Sequence, residues 1–228
     1  MWLNDLNNLE SFEPYWDFYI ELEEQFLNIC KYIPIDDKNE NTFSFKYMNL
    51  FFSICSEIDT IFKEFMEFKG YNKTKPGMEE YKNFMKENFP KFSSEIVTCY
   101  KTKELKPFEN WEINNSSPLW WKDYNDIKHH RTKKGDEGNE YEEHYKKSTQ
   151  KNILNGLSGL YQLETYLYKE LIDKYDADSF LKIPLPQSKI FRIKNWEHNE
   201  PLIDNRYILR IDEKGYLILH APPNSINE

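Results

Sequence analysis

The sequence predicts a mainly α-helical protein, a bundle of about four to five helices with a small C-terminal β-hairpin appendage. Three observations predict it. Apolar residues recur at spacings of three and four through long stretches of the first 175 residues, the period of a helix buried on one side. Pro34, Gly70, Pro76 and Pro90 fall at the ends of those stretches. After residue 183 the pattern changes to short runs rich in Ile, Leu and Tyr, parted by turn residues.

Residues 15–33 form the first helix, with Phe18, Leu22, Phe26, Ile29 and Ile33 on its apolar side. The polar run 35–42 is a loop. The strongest periodicity spans 43–69, where Tyr47, Leu50, Phe51, Ile54, Ile58, Ile61, Phe62, Phe65 and Phe68 make the stripe and Gly70 supplies the stop. Glu57 interrupts this stripe. It lies either at the edge with its head in water or buried with a partner, since an unpaired buried charge is too costly. A shorter helix covers 77–89. Residues 91–118 lose the helical period: SEIVTCY reads as a short strand, and KPFENW and NNSSP read as turns.

Helical spacing returns at 119–131. A charged, glycine-containing loop, expected to be mobile, covers 132–147. The last helix runs over 148–175, capped by Ser148 or Thr149, with Ile153, Leu157, Leu160, Tyr161, Leu167, Tyr168, Leu171 and Tyr175 in its stripe. Gly156 and Gly159 inside it each cost about 1 kcal/mol of helix propensity relative to Ala. They either admit a close neighbour or are simply tolerated. Beyond KIPLP, IFRIKNW and RYILRIDEKGYLILH read as strands, the second turning at DEKG. Residues 1–183 are thus the helical domain and 184–228 a small β appendage packed on it.

Thirty basic against thirty-nine acidic side chains, a net charge of −9, argue against coating nucleic acid through bulk charge but allow a local basic site. No apolar run reaches the roughly 18 residues of a membrane span, and the N-terminal residues lack the pattern of a signal peptide. Cys30, Cys55 and Cys99 are odd in number and widely spaced, with no CxxC pair. This points to free thiols and a reducing cytoplasm.

The segment 120–131, WWKDYNDIKHHR, holds the candidate site. On a helix, Asn125 and His129 lie at i and i+4 on one face, with Tyr124, Lys128 and Arg131 on the adjoining one. Arg and Lys neutralise phosphate oxygens, Asn orients one, and His moves a proton near neutral pH. Trp121, His130 and Lys122 complete the contact set, with Lys122 expected on a different face from His129. Glu57 joins them from the 43–69 helix. The bland alternative is a solvated polar face whose tryptophans anchor the helix start. His144, His198 and His220 are scattered and read as ordinary surface or edge residues. The set suits a metal poorly, the Glu-x-x-His pairs of a diiron bundle are missing, and no cofactor is expected.

An Asn-plus-His motif late in a helical bundle resembles the HEPN superfamily, over roughly residues 43–175. Asn125 and His129 match in place, Tyr124 stands where many members carry Arg, and the SEID helix with Glu57 is similar to the acidic-residue helix of such bundles. The YNDIKHHR string is similar to one in bacterial proteins of this kind. The resemblance implies a metal-independent endoribonuclease, often a toxin or antiviral effector, working as a homodimer with the two motifs facing each other. His129 would then be the general acid or base for attack of a ribose 2′-hydroxyl, and Asn125 would orient the phosphate. Lys128, Arg131 or Lys122 would replace the missing cation. Two functions follow. One is a non-catalytic HEPN-like module binding a nucleotide, RNA or protein partner, favoured by Tyr124 and by the acidic net charge. The other is the ribonuclease, favoured by the density of phosphate-compatible groups. An exposed His129 in a groove beside a cation fits the ribonuclease. A buried His129 bonded to Glu57 would make the motif a tie between helices.

Overall fold

The structure, a computed structural model, describes residues 6–100, 102–113, 116–132, 143–177, 179, 182–196, 203–204, 207–211 and 217–220. Its helices are α1 (Glu13–Cys30), α2 (Phe45–Phe68), α3 (Met78–Asn88), α4 (Asn110–Ile113), α5 (Leu119–His130) and α6 (Gln150–Tyr175). The strands are β1 (Val97–Cys99), β2 (Lys103–Leu105), β3 (Phe191–Ile193), β4 (Ile203–Asp204), β5 (Tyr207–Ile211) and β6 (Leu217–His220). The expected fold class is the observed one: a helical body with little sheet.

The body is organised around α2 and α6, which run parallel. Phe43 bridges Thr149 at their N-terminal ends, and Lys69 pairs with Glu170 at 2.8 Å near their C-terminal ends. Ser44 caps α2 by accepting from the Tyr47 amide at 3.0 Å, and Thr149, rather than Ser148, caps α6 by accepting from Asn152 at 3.3 Å. The two glycines of α6 mark close approaches. A Cβ at Gly156 would stand 3.3 Å from Ile54, and one at Gly159 would stand 3.3 Å from Phe108. Almost every side of α6 is buried from Ile153 to Leu167, so it is the central helix and the others pack around it.

α1 turns a different residue inward from the one its spacing predicts. Trp16, Tyr19, Leu22, Glu23 and Phe26 are buried, whereas Phe18 is 40% exposed. The stripe shifts because Glu23 is a fully satisfied core residue. Its carboxylate accepts from the Tyr19 hydroxyl at 2.6 Å, from the Lys189 amide at 2.6 Å and from the Ser188 hydroxyl. That network ties α1 to the segment leading into β3.

β3 continues the body's own sheet. The strand order is β2-β1-β3, all antiparallel, with Val97 opposite both Leu105 and Ile193. IFRIKNW therefore pairs with SEIVTCY, while β4, β5 and β6 make a separate antiparallel sheet. The DEKG turn and His198 lie outside the described residues. α4 falls within residues read as turns, because four residues are too few to show a period. Gly70, at φ +81°, takes the left-handed conformation expected of a helix stop. Part of the expected 132–147 loop is ordered: His144–Lys147 form a 3-10 turn packed on α5, and residues 133–142 lie outside the description.

Candidate functional site

Burial fixes the rotation of α5. Trp120, Trp121, Tyr124 and Ile127 face inward, Tyr124 meeting Phe51 and Phe52 of α2 edge-on at 6.0 Å. The Trp120 indole donates to the Pro107 carbonyl at 2.7 Å, which pins the start of the helix. At about 100° per residue, the remaining side chains fall into three groups.

The flank toward α2 carries Lys128 and Arg131. The Lys128 ammonium lies 5.4 Å from the Tyr124 ring centre, and the Arg131 guanidinium 5.4 Å from that of Phe52. Burial raises the Tyr124 phenol above its ordinary range, with Lys128 pulling the other way, and burial pushes the Cys55 thiol beneath it well up. Cys30 and Cys99 are likewise raised by burial, to about 11 and about 12, so none of the three free thiols is a ready nucleophile.

The opposite flank carries Asp123, Asp126 and His130, and it is occupied by structure. Lys147 bridges Asp123 at 3.1 Å and Asp126 at 2.7 Å. Asn152 donates to Asp123 at 2.9 Å. His144, expected at the surface or an edge, is buried with its Nδ1 3.3 Å from the Asp126 carbonyl oxygen, and its ring stands 6.5 Å from that of His130. These contacts dock the 3-10 turn on α5.

The outward face carries Lys122, Asn125 and His129. Lys122 and His129 are exposed and Asn125 is half-buried. The expectation that Lys122 lies on another face fails, since seven residues are close to two full turns. Among the described residues no carboxylate pairs with Lys122, Lys128 or Arg131.

Glu57 does not join this group, and no hydrogen bond links it to His129. The α2 residues that meet α5 include Phe51, Phe52 and Cys55, and one turn further on Asp59 is felt electrostatically by Tyr124. Glu57, two residues from Cys55, points to another side of α2. There burial lifts it to about 7, with the charge of Glu64 adding to the effect, and its own charge in turn raises the fully buried Glu164 of α6. The acidic residue of SEID that lies beside the site is Asp59, which accepts from the Tyr81 hydroxyl at 2.6 Å and pairs with Lys63. Its spacing carried the signal: Asp59 stands four residues after Cys55 and seven after Phe52, on their face.

Among the described residues no group of three or more His, Cys, Asp or Glu side chains is arranged to hold a metal, and no helix is long and apolar enough to cross a membrane. A cleft of about 1040 Å³ opens elsewhere, between the 35–40 loop, the β1–β2 hairpin and the first turn of α6. Lys103 there bonds Asp37 at 2.6 Å and Glu40 at 2.5 Å, and no α5 residue lines it.

No family profile, curated protein or solved structure matches the chain. The likeness to HEPN proteins rests on the motif and the helical order alone.

Proposed function

We propose that the chain is a non-catalytic helical module that binds RNA through the exposed outer and α2-facing sides of α5. The observation that carries this reading is the set of four exposed groups, Lys122, Lys128, His129 and Arg131, unpaired with any carboxylate among the described residues. Lys122 and His129 share a face about 10 Å apart along the axis. That is too far to hold one phosphate and suits successive phosphates of one strand. Two side-chain positions support a binding role over a catalytic one. Lys128 and Arg131 lean over Tyr124 and Phe52, roughly 100° or more around the helix from His129, so neither stands beside the imidazole to stabilise a transition state. The module acts in the cytoplasm, where its thiols stay reduced.

The second reading is the HEPN-type endoribonuclease. It is favoured by a specific observation: His129 is exposed and shares its face with Asn125, where a tie between helices would have buried it. In that reading a homodimer brings a second α5 and its cations to the first.

One pair of assays separates them. Fluorescence anisotropy with a labelled single-stranded RNA should give binding that weakens with salt, and Lys122→Ala, Lys128→Ala and Arg131→Ala should each reduce the log–log salt slope by about 0.7. Total RNA incubated with the protein in EDTA should stay intact. Absence of salt-dependent binding overturns the proposal, and cleavage that disappears in His129→Ala establishes the ribonuclease instead.

A further inference from the structure

Phe45, the first residue of α2, is 65% exposed, and Phe43 just before it is 41% exposed. Large apolar side chains so open to water are uncommon at the start of a helix whose other aromatic residues fill a core. Between them lies Tyr145 of the 3-10 turn. It stacks on Phe45 at 5.5 Å with an interplanar angle of 22° and meets Phe43 edge-on at 5.9 Å. The three rings form a short ladder, held from below by backbone. The Tyr145 amide donates to the Arg131 carbonyl at 3.2 Å, Phe43 bridges Thr149, and the Gln150 amide donates to the Thr42 carbonyl at 2.9 Å.

Cations interleave with the rings. Lys146, which also pairs with Glu143 at 3.4 Å, lies 6.0 Å from the centre of Phe43. Phe52 stands seven residues, close to two turns, after Phe45 and thus on the same side of α2, and it carries Arg131. Lys128, over the buried Tyr124 ring, comes next. The track therefore runs from the ladder directly into the α5 site.

Solvent-facing rings at Phe43, Tyr145 and Phe45, with cations beside them and along α5, are the chemistry of a surface for unpaired bases. Every base has a π-face that stacks on an aromatic side chain, while neighbouring cations follow the phosphates. A duplex hides its base faces and gains nothing from Phe45. An apolar protein partner would gain little from the cations beside the rings.

We infer that Phe43, Tyr145 and Phe45 form a base-stacking platform for a single-stranded nucleic acid whose phosphates continue along Lys128 and Arg131. The inference rests on the RNA-binding reading of α5 and specifies it: the ligand is single-stranded, and bases at one end stack beyond α5. Phe45→Ala removes an exposed ring, so the fold is unaffected, and it should weaken binding of a uridine 12-mer about tenfold or more. The salt slope should remain that of wild type, because stacking releases no counterions. Phe45→Trp should retain binding.

The experiment is anisotropy titration of wild type, Phe45→Ala, Phe45→Trp and Arg131→Ala. The probes are a uridine 12-mer, the matching deoxythymidine 12-mer and a 12-base-pair RNA duplex, and each variant is also run on size exclusion. Equal losses on the RNA and DNA strands assign the platform to bases in general, and a loss on the RNA alone assigns it to RNA. Both support it, provided that duplex binding is unchanged by Phe45→Ala. Wild type that binds no probe overturns this inference together with the α5 reading. Binding that depends on Arg131 but survives Phe45→Ala overturns this inference alone. So does a change of oligomeric state in Phe45→Ala, which would make the ladder a contact between copies of the chain.

Discussion

Glu164 offers the sharpest test of how this core is held together. It sits on the central helix, fully buried, with neither carboxyl oxygen hydrogen-bonded within the described residues. Burial, reinforced by nearby Glu57, raises it well above the ordinary 4.5, so the folded chain holds this proton at pH values where a free carboxyl has lost it. In the unfolded chain the same group loses its proton at about 4.3. The folded state thus holds one proton more than the unfolded state above that value. Stability is then fully present below it and falls as pH rises toward the folded value. The slope is at most about 1.4 kcal/mol per pH unit, reached where the folded group is still protonated and the unfolded one is not. Glu57, lifted to about 7, acts in the same direction with a smaller share, because water reaches it. Glu164→Gln keeps the shape and cannot ionise. Urea unfolding at pH 4.5, 5.5 and 6.5, with the m-value checked for constancy, should show the variant close to wild type at the lowest pH. Its lead over wild type should widen with each step upward in pH, by up to about 1.4 kcal/mol per unit. Wild type and variant with the same pH slope would refute the account.

The remaining stability predictions concern two other contacts within the core. Glu23→Ala leaves the buried Tyr19 hydroxyl, Ser188 hydroxyl and Lys189 amide without their shared acceptor, and should cost about 3 kcal/mol in urea unfolding. The Lys189 amide should also exchange its hydrogen faster, and unchanged exchange would mean that the β3 segment is held by other means. Gly159→Val sets a branched side chain where even a Cβ would stand 3.3 Å from Phe108 and 3.4 Å from Pro107, and should destabilise by about 1–3 kcal/mol. A melting temperature equal to that of wild type would mean that the Phe108 ring yields freely.

Helix positions were legible where one periodic signal dominated. The α2 stripe and the Gly70 stop are as the spacing requires, because every residue from Tyr47 to Phe65 in that stripe packs on α6 or its neighbours. α1 misled for a definite reason: a carboxylate reads as solvent-facing unless its partners are known, and two of the three that Glu23 has lie 165 and 166 residues away. The pairing of β1 with β3 was hidden in the same way, since three-residue strands carry no sequence mark of register. At the site, spacing placed Asn125 with His129 correctly. It named Glu57 as the acidic neighbour and passed over Asp59, because that choice depends on which side of α2 receives α5.

The bland account of KHHR deserves its full weight. Lys128, His129 and His130 lie in the last turn of α5, where cations offset the partial negative charge of the unsatisfied carbonyls by about 0.3–1 kcal/mol each. Helix stability alone therefore explains a basic end there, with no ligand at all. It does not explain Lys122. That residue is the fourth of the helix, and its amide donates to the Pro118 carbonyl at 3.1 Å, so its charge opposes the positive end of the dipole. Nor does packing require it, for it is exposed and paired with no carboxylate among the described residues. What it shares is a face, with Asn125 and His129. Lys122→Ala is therefore the most telling of the binding variants: a weakened RNA complex with an unweakened fold separates a ligand contact from a helix-end charge, which Lys128 and His129 by themselves cannot do.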